Sequence, residues 1–274
     1  MQQAPVKRVG ELEIPALGLG TWRMEGRACA EAVANALEMG YRHVDTAQMY
    51  GNEEAVGRGV TEAAVDREEV FLTTKVWHDR LRHDDVIETA EACLDRLGTD
   101  YVDLLLVHWP NPAVPIEETL DAMHELKRSD WVRHIGVSNF TEPLLDEARS
   151  HADDVRVNQV EMHPFFQQRD MHDYCVEHDL ALTAYAPLAR GRVTDDPVLQ
   201  EIGEAHDATA AQVALRWLTQ QENVVAIPKA EPQDLQRENL RSQKLELTAD
   251  ELDRIGSIEQ RPKMVDPGFA PWNG

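Results

Sequence analysis

The chain has 274 residues, and its 50 Asp plus Glu against 27 Lys plus Arg give a net charge of −23. Such a surface repels nucleic acid and anionic membranes, so neither is expected as a partner. The length suits two ordinary domains or one large α/β barrel, for which about 250 residues is typical, and no apolar run reaches the roughly 18 residues of a membrane span.

The first residues, Met1 to Pro5, are not followed by the apolar stretch of a signal peptide, which points to a cytoplasmic protein. Residues 6–14, with Gly10 at a turn, predict a β-hairpin that closes the N-terminal end of a barrel. After it, apolar β-branched runs predict strands at 17–22, 43–47, 70–77, 101–109, 134–139, 155–162, 180–188 and 224–229. Between them, apolar residues three and four apart predict helices such as 29–39, 84–97, 116–127 and 209–221. Gly40 and Gly98 read as helix stops, Thr141 and Thr209 as N-caps. Residues 197–206 and 248–259 read as two helices beyond the repeating units.

Eight βα units in succession favour a closed (β/α)8 TIM barrel over an open doubly wound sheet. With no Ser/Gly/Pro-rich linker, residues 1–274 are expected to form one domain: an N-terminal hairpin within 1–16, the barrel, and an irregular tail at 261–274 near the active site. The tail's pattern permits either a fold over the catalytic end or a frayed terminus. Cys29, Cys93 and Cys175 lie far apart in helical segments and read as buried small hydrophobes.

Four polar residues fall at the C-terminal ends of successive expected strands, where barrel active sites are built: Asp45 and Tyr50 in His-Val-Asp-Thr-Ala-Gln-Met-Tyr-Gly, Lys75 in Phe-Leu-Thr-Thr-Lys-Val-Trp, and His108 in Leu-Leu-Leu-Val-His-Trp-Pro. Each alone reads as structural more often than not. Together they are a site, because a Lys at the end of an apolar strand is costly unless paired and Asp45 is its obvious partner. A Tyr beside that Lys is expected to have its phenolate stabilised against a resting pKa of about 10. No His-Glu-x-x-His helix or Cys/His cluster with zinc spacing is present, so no metal is expected.

The chain resembles the aldo-keto reductases, from Leu17-Gly-Leu-Gly-Thr-Trp through Gly136-Val-Ser-Asn-Phe and Asn158-Gln-Val-Glu-Met-His-Pro to Ile227-Pro-Lys and Arg237-Glu-Asn-Leu. Its short loops and the ending Met264-Val-Asp-Pro-Gly-Phe-Ala-Pro-Trp are most similar to the prokaryotic 2,5-diketo-D-gluconate and methylglyoxal reductase type. The resemblance implies hydride transfer from a reduced nicotinamide to an aldehyde or ketone. Tyr50 would donate the proton, Lys75 would lower its pKa, Asp45 would hold Lys75, and His108 would orient the carbonyl oxygen. Ser138, Asn139 and Gln159 would bind the carboxamide and Tyr185 would stack on its ring, with the rest of the cofactor running past Leu188 to Lys229. Glu238 and Asn239 match positions near adenine. Gly18 and Gly20 are not a dinucleotide fingerprint, since no third glycine follows, and read as tight barrel-end packing.

Relatives that prefer NADPH usually follow Ile-Pro-Lys with a small hydroxyl residue and place an Arg six residues after the Lys. Here those positions hold Ala230 and Leu235, and Glu231 adds a carboxylate. Lys229 favours a 2′-phosphate whereas Glu231 repels it, so NADPH is expected with NADH also possible. Trp22, Trp77, Trp109 and the tail's Trp272 or Phe269 are expected to wall a pocket for a small carbonyl substrate, while Trp131 and Trp217 read as packing residues. A monomer is expected. The alternative function is a cofactor-binding barrel that senses redox state without turnover. The dispersed acidic surface, with only six lysines, resembles that of halophilic proteins.

Overall fold

The structure, a computed structural model, describes residues 4–273. The expected domain bounds of 1–274 and hairpin bounds of 1–16 therefore include residues 1–3 and 274, which lie outside the described residues. In chain order the elements are β1 (Val6–Val9), β2 (Leu12–Pro15), β3 (Leu19–Gly20), α1 (Gly26–Met39), β4 (His43–Asp45), α2 (Glu53–Glu62), β5 (Phe71–Val76), α3 (His83–Leu97), β6 (Val102–Val107), α4 (Ile116–Arg128) and β7 (Val132–Ser138). There follow α5 (Glu142–His151), β8 (Val155–Glu161), α6 (Arg169–Glu177), β9 (Ala181–Tyr185), α7 (Pro197–Ala205), α8 (Ala210–Gln220), β10 (Val224–Ala226), α9 (Gln233–Arg241) and α10 (Ala249–Gly256).

Strands β3 to β10 pair in sequence order, each parallel to the next. Parallel bridges Leu17–Ala226 and Gly20–Lys229 join the first strand to the last and close the (β/α)8 barrel. The antiparallel hairpin β1–β2 seals one end: Val9, Leu12 and Ile14 form a buried cluster with Phe71, Leu104, Leu106, Val157, Ala181 and Val225. Helices α7 and α10 are the two additions to the eightfold pattern. Gly40 and Gly98 end α1 and α3 in the left-handed conformation that favours glycine, at φ of 116° and 63°.

Two local expectations change. The first barrel strand is a two-residue ladder, because one flank meets the last strand only through bridges. Thr209 caps α8 with a capping box to Gln212, but Thr141 occupies the cap position of α5 without a side-chain hydrogen bond to its amides. Gly20 is confined by packing, as anticipated: a Cβ there would lie 2.6 Å from the Ile227 carbonyl oxygen.

Candidate active site

The cluster of buried residues with the hairpin fixes which strand positions face the barrel axis, and period-two alternation then fixes the rest. Phe71 points inward, so Thr73 and Lys75 do too; Leu106 points inward, so His108 follows it beyond the end of β6. In the ladder Asp45 pairs with Thr73 and Lys75 with Leu106. Each inward residue therefore stands one pleat beyond its neighbour, and Asp45, Lys75 and His108 rise as a staircase toward the C-terminal mouth. On the other side of the barrel the same parity brings Gln159 after Val157 and Tyr185 after Ala181. Tyr50 arrives from the 3-10 turn Gln48–Tyr50 after β4.

The fully buried Lys75 donates to Asp45 Oδ1 at 2.5 Å, to the Thr46 carbonyl at 2.8 Å and to Tyr50 Oη at 3.4 Å. Asp45 also accepts from Gln159 Nε2 through Oδ2 at 2.8 Å. The His108 ring lies edge-on to Tyr50, with centroids 5.7 Å apart. The four residues singled out in the sequence thus meet at one place.

The electrostatics of Tyr50 differ from the expectation. Its pKa lies well above 10, because burial disfavours the phenolate and the Asp45 carboxylate repels it. The Lys75 charge is engaged mainly by Asp45 and the Thr46 carbonyl, and sits farther from the phenol. Burial lowers Lys75 itself, with Asp45 pulling the other way. The result is a phenol that keeps its proton, the state a general acid needs, beside an ammonium placed to stabilise the phenolate once the proton leaves. Burial, reinforced by Lys75 and His78, holds His108 well below its usual value, so its ring is neutral at physiological pH.

The expected carboxamide residues form a second network. Ser138 donates to the Gln159 carbonyl at 2.8 Å, Asn139 Nδ2 to Ser138 Oγ at 2.9 Å and to the His108 carbonyl at 3.0 Å, and Tyr185 to Asn139 Oδ1 at 2.8 Å. With Gln159 Nε2 given to Asp45, Oε1 is the atom of this amide that would take a carboxamide N–H, so the polar set fits a nicotinamide. Beyond β9 the chain takes positive φ at Ala186, Ala189 and Arg190, strain of the kind that accumulates at ligand-binding loops, next to Leu188. Lys229 and Glu231 are partly exposed and 3.5 Å apart, and Leu235 is exposed. Glu238 accepts from Thr209 Oγ1 at 2.7 Å on the rim of a cleft of about 780 Å³ shared with Arg237 and Arg241; Asn239 is buried.

The aromatic wall is assembled in part. Trp77 lies 5.0 Å from His108 and 6.1 Å from Phe269; Trp109 lies 5.5 Å from both Phe269 and Trp272. Trp22 stands apart from these contacts: it is 38% exposed, with the guanidinium groups of Arg23 and Arg190 at 4.2 and 5.8 Å from its ring. Trp217 is buried in the core and Trp131 packs against it, as expected of packing residues. Sequence reasoning missed Gln48, whose Oε1 accepts from the Trp77 amide at 3.1 Å, and the buried carboxylate Glu161. Glu161 was findable, since it follows Gln159 at the strand period. Among the described residues no group of three or more His, Cys, Asp or Glu is placed to hold a metal ion, and no helix is long and apolar enough to cross a membrane.

A parallel barrel whose mouth carries a buried Lys–Asp pair against a phenol that keeps its proton has the groups to protonate a carbonyl oxygen. Residues 16–260 match the aldo/keto reductase family, and the chain belongs to it. It is similar to the methylglyoxal reductase DkgB of Salmonella typhimurium, 40% identical over 268 residues that cover 96% of this chain and 100% of the relative. It is also similar to the glyoxal reductase of Bacillus subtilis, 39% identical over 93% of this chain and 92% of that one. The crystal structure of a Bombyx mori aldo-keto reductase in complex with NADP superposes with a TM-score of 0.91 at 30% identity, covering 98% of this chain and 97% of that one. The protein is an NADPH-dependent oxidoreductase that reduces aldehydes or ketones to alcohols, and none of these relatives supports the sensor alternative.

Proposed function

We propose that the reduction runs through Asp45, Tyr50, Lys75 and His108, and that the preferred substrates are small aldehydes of the methylglyoxal kind. The observation that carries the assignment is the Lys75 ammonium held between Asp45 Oδ1 and Tyr50 Oη at the barrel mouth. The reduced nicotinamide supplies the hydride. Tyr50 gives its proton to the carbonyl oxygen as negative charge builds there, Lys75 stabilises the phenolate left behind, and Asp45 keeps Lys75 charged in a buried setting. Neutral His108 donates a hydrogen bond to the same oxygen and orients it. Ser138, Asn139 and Gln159 would hold the carboxamide of the cofactor, with Tyr185 against its ring, and Leu188, Lys229, Glu231, Glu238 and Asn239 would hold the remainder, while Trp77, Trp109, Trp272 and, at the outer rim, Trp22 would bound the substrate.

The substrate class follows the names of the two bacterial relatives and is compatible with an aromatic mouth that favours compact, flat carbonyls. Oxidation of NADPH with methylglyoxal, glyoxal, benzaldehyde and a 2,5-diketo acid is the direct test. Turnover should be fastest with a 2-oxoaldehyde. Absence of turnover with all four would overturn the assignment.

Dual cofactor use rests on the Lys229–Glu231 pair, which sets a cation for a 2′-phosphate against an anion that repels it. The variant Glu231→Val with Leu235→Arg should shift the NADPH/NADH ratio of dissociation constants about tenfold toward NADPH. An unchanged ratio would remove this loop from the 2′ position.

The enzyme is read as a single-domain, cytoplasmic monomer, and its net charge of −23 supports a salt-accumulating cell and disfavours nucleic-acid and anionic-membrane partners. Between about 0.05 and 3 M KCl its melting temperature and rate should rise together as the Debye length falls to about 3 Å or less. Salt strengthens hydrophobic burial in any protein, so the control is a variant with exposed Glu38, Glu62, Asp153 and Asp195 changed to Lys. An equal salt response in the two proteins would refute the halophilic reading alone.

A further inference from the structure

Strand β8 ends on Glu161, an inward carboxylate that is only 2% exposed. A charge so buried is expensive unless its oxygens are engaged. Its partners include two backbone amides from a distant part of the chain: Met264 N donates to Oε1 at 2.7 Å and Val265 N to Oε2 at 2.8 Å. His163 Nε2 completes the set at 3.1 Å from Oε1. Burial works against the charge, yet these three hydrogen bonds outweigh it and hold the carboxyl below its usual pKa.

The segment gripped in this way is itself folded. Asp266 accepts from Trp272 Nε1 at 2.8 Å and from Asn273 Nδ2 at 2.7 Å, Ala270 N donates to the Pro267 carbonyl, and the Lys263 ammonium sits 3.1 Å from the Trp272 ring centroid. From there Phe269 stacks on His78 at 4.3 Å and meets Trp77 and Trp109 edge-on, next to His108. The chain is also held just before this point, by Arg261 N to the Phe165 carbonyl, by Gln260 Oε1, which accepts from Gln167 N at 2.8 Å, and by the Lys263 ammonium 5.5 Å from the Phe166 ring; these ties precede Met264 and leave the Met264 and Val265 amides to Glu161.

We infer that Glu161 is a positioning residue that clamps the C-terminal segment across the barrel mouth, so that a carboxylate outside the reacting set determines which carbonyl substrates the aromatic wall accepts. Substrate-side consequences rest on the catalytic assignment proposed above; the clamp itself does not. Two acceptor oxygens meeting two consecutive N–H groups make the contact specific for a carboxylate. Glutamine offers one acceptor and turns an NH2 group toward the other amide.

The test compares wild type with Glu161→Gln and, as a variant that leaves the barrel untouched, with Val265→Pro, which removes one donated N–H. Trypsin reads the clamp without any activity, because the Lys263–Met264 bond belongs to the gripped segment while Pro262 protects Arg261. In both variants this bond should be cut at least tenfold faster, KM for benzaldehyde should rise about fivefold or more, and kcat and the NADPH dissociation constant should stay within twofold. In a Phe269→Ala/Trp272→Ala background, Glu161→Gln should add nothing further to KM. Wild-type resistance to trypsin in both variants overturns the clamp, as does a full KM effect of Glu161→Gln in the double-alanine background. If no carbonyl is reduced by the wild type, the catalytic assignment fails while the trypsin comparison still decides the clamp. Should Glu161→Gln fail to fold, Val265→Pro alone carries the same outcomes.

Discussion

Tyr50→Phe is expected to lower kcat for carbonyl reduction by at least 10²-fold while leaving the NADPH dissociation constant within about twofold, because positioned acid catalysis contributes 10² to 10⁴ and the phenol has no place in cofactor binding. The change removes one oxygen, 3.4 Å from Lys75, and leaves the ring against His108. Folding should be nearly unaffected, since the Lys75 charge keeps Asp45 and the Thr46 carbonyl. Single-turnover rates measured with saturating NADPH isolate the chemical step. A rate within about threefold of wild type would strip Tyr50 of its role and leave His108 as the remaining candidate donor, although a ring held neutral by burial is a poor one.

The staircase of Asp45, Lys75 and His108 was legible because strand ends in a parallel barrel carry their chemistry at a fixed parity. A polar residue that interrupts a run such as Leu-Leu-Leu-Val is conspicuous for the same reason. The hairpin plug, the two additional helices and the glycine stops were legible too, being set by local pattern and backbone conformation. What escaped depended on distances between segments far apart in the chain. Whether the Tyr50 pKa ends above or below 10 is decided by burial and the Asp45 carboxylate against a Lys75 ammonium that stands 2.5 Å from Asp45 and 3.4 Å from the phenol, and no spacing in the sequence encodes that balance. Trp22 was grouped with Trp77 and Trp109 because all three follow strand ends. Trp22 instead stands at the outer rim, 38% exposed, with the guanidinium groups of Arg23 and Arg190 at 4.2 and 5.8 Å from its ring, contacts that strand ends do not encode. The tail's fate rested on Glu161 hydrogen bonds to Met264 and Val265, backbone groups that carry no side-chain signature.

Asp45→Asn tests the other half of the site. It should cost about 3 to 5 kcal/mol of stability, the usual penalty for leaving a buried charge without its partner. Lys75 is wholly buried, and the neutral amide has one acceptor oxygen where Asp45 now serves both Lys75 and Gln159. The pH dependence has a definite sign. Burial already depresses the Lys75 pKa below 10.5, and Asp45 is the largest force opposing that depression. Without it the pKa falls further, the amine is neutral over more of the physiological range, and its stabilisation of the Tyr50 phenolate is lost. A lysine is charged below its pKa, so the variant's kcat should recover as pH is lowered, whereas wild type should show no such gain. Unfolding by urea gives the stability change, and kcat from about pH 5.5 to 8.5 gives the titration. A loss of stability under about 1 kcal/mol, together with a pH profile parallel to wild type, would mean that Asp45 neither sustains the Lys75 charge nor acts through it; a stability loss without the acid-side recovery would restrict Asp45 to holding the fold.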